Sequence, residues 1–207
     1  MPVQLLKQFV EAVGYACDAH GVKKRRGTEV SYVAHLLGVT AIALEYGANE
    51  AEAIGALLHD VVEDCGGKSR LEDIRARFGP MIGAIVEGCS DTLDTPKPPW
   101  RERKEKYLQH LPQASAAVRL VSAADKLHNA RATLGDYQRL GEKVWDRFHD
   151  GKAGTLWYYR ALVTAFQAAG SNALIEELDR AVTAIEQLAD RSETPRASSQ
   201  QLTINLD

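Results

Sequence analysis

Apolar residues recur at three- and four-residue spacing along nearly the whole chain, and no window alternates as a half-buried strand would. That period admits helices and little else. It predicts helices over about 2–19, 29–46, 50–64, 70–77, 80–90, 99–110, 114–136, 142–149, 153–169 and 172–190. The breaks fall where helices stop: Gly47-Ala48-Asn49, Cys65-Gly66-Gly67-Lys68, Gly79-Pro80, the proline-rich 94–99, Asp150-Gly151 and Gly170-Ser171. The expectation is an all-α helical bundle of about ten helices, one domain over 1–190. Residues 191–207 are polar and aperiodic and read as a flexible C-terminal tail.

Of the 207 residues, 45% are hydrophobic and 26% charged, and no apolar run approaches a membrane span. The N-terminus lacks a basic flank followed by a long apolar stretch, so no secretory signal is read there. Three scattered cysteines, Cys17, Cys65 and Cys89, form no C-x-x-C pair. A reducing cytoplasm is therefore expected, with neither a disulfide framework nor a zinc knuckle. The net charge of -3 argues against binding polymeric nucleic acid, although Lys23, Lys24, Arg25 and Arg26 are consecutive.

The segment IGALLHDVVED, residues 54–64, should be buried, yet it carries His59, Asp60, Glu63 and Asp64. Residues three and four apart share a helix face, so Glu63 and Asp64 neighbour the His59-Asp60 pair. Taken alone, the two acids also read as a helix end emerging into solvent. His59 and Asp60 sit among Leu57, Leu58, Val61 and Val62, where an ionised carboxylate costs several kcal/mol without compensation.

Two further polar intrusions are His35 in YVAHLLGV and Asp125 in VRLVSAADKLHNARA. Either one alone reads as a satisfied core histidine or an ion-paired aspartate. Together His35, His59, Asp60 and Asp125 make a mixed nitrogen and oxygen set suited to Mn²⁺ or Fe²⁺, with Zn²⁺ or Co²⁺ as substitutes. In a six-coordinate site two positions remain for water and a phosphate oxygen, and coordination makes that water more acidic.

The order His, His-Asp, Asp resembles the HD-domain metal-dependent phosphohydrolases. The longer stretches GALLHDVVED and ADKLHNAR, with a basic cluster before Tyr32-Val33-Ala34-His35, are similar to the hydrolase domain of RelA/SpoT proteins. The similarity runs from about residue 8 to 136 and implies a stand-alone small alarmone hydrolase. It implies that His35, His59, Asp60 and Asp125 bind a metal, usually Mn²⁺. It implies that Glu63 and Asp64 activate water and handle protons at the 3′-phosphate. It also implies that Lys24, Arg25 and Asn129 contact the nucleotide. Ser31 and Leu36 stand where the family usually has proline, and Ala132 where it has a small polar residue. Those departures bear on base and ribose recognition and leave the metal set intact.

The expected reaction is removal of the 3′-pyrophosphate from guanosine or adenosine alarmones, the partner being a small nucleotide. Two other functions remain open at this point: a general nucleotide phosphatase or phosphodiesterase, for example acting on NADPH, and a non-catalytic nucleotide sensor. Taken alone, KKRR also reads as a solvated charge run. Arg101, Arg103, Lys104 and Lys106 form a second candidate patch for the anion but read first as an exposed helix face, and Trp157, Tyr158 and Tyr159 could form a stacking platform but read first as core. Oligomeric state and the role of residues 137–190 are left open by the pattern.

Overall fold

The computed structural model describes residues 3–94 and 96–193. These contain α1 (Lys7–His20), α2 (Tyr32–Glu45), α3 (Glu50–Leu58), α4 (Val61–Cys65), α5 (Gly67–Phe78), α6 (Pro80–Cys89), α7 (Trp100–His110), α8 (Ala116–Leu140), α9 (Gly151–Ala168) and α10 (Ala173–Glu193). Short 3₁₀ turns at Leu111–Gln113 and Gly141–Arg147 flank α8. Among the described residues there is no strand, only a single bridge between Lys24 and Ser31. The all-α bundle is as the periodicity requires.

Local chemistry explains several boundaries. Asn49 caps α3 by accepting from Glu52 N–H while the Glu52 side chain returns to Asn49 N–H, a reciprocal box. Ser115 caps α8, and Pro80 opens α6 where its missing N–H costs nothing.

Several expectations need correction. The helix expected from residue 2 starts at Lys7, because Leu6 N–H is tied to Glu50 Oε1 at 2.6 Å. The helix expected from 29 starts at Tyr32, because 23–31 folds into a turn closed by Arg25 N–H on the Val30 carbonyl. The segment expected as a helix over 142–149 is a 3₁₀ turn. Most consequential, the single helix expected over 50–64 breaks between Leu58 and Val61, where Asp60 adopts φ -96° and ψ -8°. At the other end α10 continues to Glu193, past the expected boundary at 190, and the tail from 194 onward lies outside the described residues.

Two apolar clusters form the interior. One gathers Ala12, Leu36, Ile54, Leu57, Leu58, Val61, Ile74 and Val86, and the other Val39, Ile42, Ala56, Leu127, Leu162, Phe166, Leu178 and Ile185. Helices α2 and α3 contribute to both, which locks them against their neighbours. Each fully buried leucine here, such as Leu58 or Leu127, contributes about 1.5–3 kcal/mol relative to exposure. The polar residues of interest therefore emerge from walls held rigid on two sides.

Candidate metal centre and nucleotide cleft

His35 comes from α2, Asp125 from α8, and His59 and Asp60 from the break between α3 and α4. His35 Nε2 lies 3.2 Å from Asp125 Oδ1 and 3.5 Å from Asp60 Oδ2. His59 Nε2 lies 3.1 Å from Asp60 Oδ2 and 3.6 Å from Asp125 Oδ1. His35, His59 and Asp125 are buried, each offering one ligand atom within 4.8 Å of the others. The four residues singled out from the sequence thus converge on one point.

The ring orientations are fixed from behind. His59 Nδ1 is 2.8 Å from the Ala56 carbonyl, an acceptor only, so Nδ1 carries a proton and Nε2 is the nitrogen turned to the two carboxylates. That Nε2 is fully buried and makes no well-directed hydrogen bond, so a cation bound there would satisfy it in place of a proton. His35 Nδ1 meets His128 Nδ1 at 3.0 Å. Burial, with His35 and Arg25 nearby, pushes His128 down to about 4, so it stays neutral and can accept from His35. Asp125 Oδ1 accepts from Asn129 Nδ2 and Oδ2 from Lys126 Nζ, each at 2.6 Å.

The charges in the cluster are mutually supporting. Burial alone would push the His59 imidazole down, but Asp60 and Asp125 reverse that and hold it well above the usual histidine value. Burial would likewise push both carboxylates up. His59 and His35 hold Asp60 well below the usual range, and Lys126 with His35 and His59 does the same for Asp125. Ionised carboxylates beside imidazole nitrogens are the chemistry a divalent cation requires.

Glu63 and Asp64 lie on α4, just beyond this point, and each is held by a lysine. Glu63 Oε1 accepts from Lys97 Nζ at 2.9 Å, with Arg103 at 3.9 Å, and Asp64 pairs with Lys23. Burial and Asp91 raise the Glu63 carboxyl above its usual value despite Lys97.

The basic stretch divides its side chains. Lys23 reaches Asp64, Arg25 Nη2 donates to Asn129 Oδ1 at 2.9 Å, and Arg26 borders the cleft. Lys24 instead pairs with the exposed Glu29 and is absent from the cleft wall. The cleft itself holds about 360 Å³, a volume typical of small-molecule sites. Arg25, Tyr32, Lys126 and Asn129 line its inner end; Trp100, Lys104, Arg147, Phe148 and Tyr158 line the rest. Lys104 is steered by Asp91 at 2.6 Å and lies 5.1 Å over the Tyr158 ring.

Several of these residues escaped the sequence reading. Tyr159 is buried as expected, but Tyr158 faces the cleft with a hydroxyl that has no partner, and Trp157 packs beneath Arg101. Three consecutive aromatics point around more than half a helix turn, a signal that they could not all be core. Lys97 and His128 carried no comparable signal, whereas Lys23 and Lys104 stood in basic runs whose members the sequence does not tell apart.

An all-helical bundle in which a histidine, a His-Asp pair and a distant aspartate meet is the architecture of a metal-binding HD domain. Residues 12–154 match the HD domain family, and the chain belongs to it. It is 35% identical over 140 residues to guanosine-3′,5′-bis(diphosphate) 3′-pyrophosphohydrolase MESH1 of Xenopus tropicalis, covering 66% of this chain and 73% of that one. The human MESH1 is 34% identical over 141 residues, covering 67% and 74%. A solved structure of a metazoan ortholog of SpoT, which hydrolyzes ppGpp and plays a role in starvation responses, superposes with a TM-score of 0.73. Its sequence is 26% identical, and the match covers 90% of this chain and 99% of that one.

Proposed function

We propose that the protein is a metal-dependent 3′-pyrophosphohydrolase of guanosine or adenosine alarmones. The observation that carries this is the convergence of His35, His59, Asp60 and Asp125 beside a basic, aromatic-lined cleft. The names of the relatives direct the choice of substrate. The donor set of two imidazoles and two carboxylates favours Mn²⁺, with Fe²⁺, Co²⁺ or Zn²⁺ able to substitute. A divalent cation held there supplies Lewis acidity to a water and to a phosphate oxygen.

The protein's own groups do the rest. Arg25 and Asn129, already hydrogen-bonded to each other, face the cleft where the anionic ribose-phosphate enters. Lys24 would have to exchange its outward partner Glu29 for the anion to contact the nucleotide as the resemblance implies. Glu63 and Asp64 take the proton as a water oxygen bonds to the phosphorus on the ribose 3′-oxygen. The bond from that phosphorus to the 3′-oxygen breaks, the 3′-oxygen is protonated, and pyrophosphate leaves GDP or GTP, or the adenine equivalent. Glu63, raised by burial, is suited to exchange a proton closer to neutrality than an exposed carboxylate.

The small nucleotide is the partner in this reading, with no role for polymeric nucleic acid or a membrane. Among the described residues no helix is long and apolar enough to cross a bilayer. The three free cysteines suit a reducing cytoplasm, and the metal site and cleft fall within one domain over 1–190.

Product analysis tests the proposal. Purified protein with Mn²⁺ is incubated separately with ppGpp, ppApp and NADPH, and pyrophosphate and orthophosphate are quantified. EDTA-sensitive pyrophosphate from either alarmone is the expected result. Orthophosphate from NADPH alone would replace the proposal with a general phosphatase.

A further inference from the structure

Tyr32 opens α2, and several contacts fix its ring. Its N–H donates to the Lys23 carbonyl at 2.8 Å, closing the turn that contains the Lys24–Ser31 bridge. The ring stacks on the buried His20 imidazole, with centroids 4.8 Å apart and planes 18° from parallel. The Lys23 ammonium sits 4.4 Å from the ring centroid and continues to Asp64. An edge contact to His35, 5.4 Å between centroids, completes the enclosure. A phenol held in this way keeps little rotational freedom, so its hydroxyl is a donor fixed in space.

That hydroxyl donates to Asp60 Oδ2 at 2.6 Å. The same oxygen is the one turned toward His59 Nε2 and His35 Nε2. The comparison with Asp125 is informative. Asp125 is oriented by Lys126 and Asn129, both on its own helix. Asp60 lies at a helix break, and its external donor comes from α2.

We infer that Tyr32 is a positioning residue for the metal centre. Its hydroxyl holds the Asp60 carboxylate in the orientation that aims Oδ2 at the two imidazoles, and His20 and Lys23 hold Tyr32. This rests on the metal-site reading above and adds to it a support from outside the four ligands. Partners that orient ligands in this way are worth about 10–100-fold in metal affinity.

Tyr32→Phe removes the hydroxyl and keeps the ring that stacks on His20. Mn²⁺ binding by titration calorimetry should weaken about tenfold or more, with the helical circular dichroism and metal-free melting temperature near those of wild type. Saturating Mn²⁺ should restore most of kcat, because the defect is in holding the metal. Wild-type affinity in Tyr32→Phe would overturn the inference while leaving the metal site standing. A turnover defect that excess Mn²⁺ does not relieve would also overturn it, and would make the hydroxyl a substrate contact. Absence of stoichiometric Mn²⁺ binding by the wild-type protein would instead remove the metal-site reading, and the inference with it.

Discussion

His128 Nδ1 stands 3.0 Å from His35 Nδ1, and the space its ring occupies exists because residue 38 is glycine. A Cβ at Gly38 would lie 2.3 Å from His128 Nε2. Gly38→Ala must therefore displace the ring that supports His35. Alanine gains up to about 1 kcal/mol in helix propensity, so overall stability should change little. Metal affinity should fall about tenfold, and titration of Mn²⁺ into the variant checks it. Unchanged affinity would show that His35 does not depend on His128.

Asp60 and Asp125 should respond differently to removal of charge. The side chain of Asp125 is 7% exposed and is paired with a Lys126 side chain 16% exposed. Asp125→Asn leaves that ammonium without its partner, at a cost of about 3–5 kcal/mol. Asp60→Asn abandons no lysine. Both variants should lose metal binding and turnover, but only Asp125→Asn should show a large fall in metal-free stability. Urea unfolding of the two proteins without metal makes the comparison.

The pH dependence follows from Glu63. Burial and Asp91 raise its carboxyl above 4.5, and Lys97 and Lys104 oppose them. The base form is lost as pH falls through the raised value, so the acidic limb of kcat/KM should lie above 4.5. Lys97→Ala removes an opposing ammonium and should move that limb to still higher pH. Glu63→Gln should abolish the limb and lower kcat by about 10²–10⁴-fold. A limb that survives in Glu63→Gln belongs to another group.

Removing metal should affect stability as well as turnover. If only the folded protein binds the cation, Mn²⁺ at a hundred times its dissociation constant adds about 2.7 kcal/mol. For a chain of 207 residues that is roughly 5–10 °C in melting temperature. EDTA should reverse the shift, and added Mn²⁺ should restore it, both read by thermal denaturation.

The sequence alone determined the helical class and which residues intrude on the apolar faces. Periodicity fixes the buried side of a helix, so a histidine or aspartate on that side is conspicuous; His35, His59, Asp60 and Asp125 were legible for that reason. Tertiary structure decided the rest. The break at His59-Asp60 leaves no mark in the period, because Asp60 departs from the helix while contacting Tyr32 of another element. A run of like charges has no period at all. Only the turn over 23–31 separates Lys23 on Asp64 and Arg25 on Asn129 from Lys24, which turns outward to Glu29. Lys104, Trp100 and Tyr158 become one cleft wall only because α7 packs on α9. Local spacing specifies a face of a helix, but which faces meet depends on long-range packing that no short window of sequence contains.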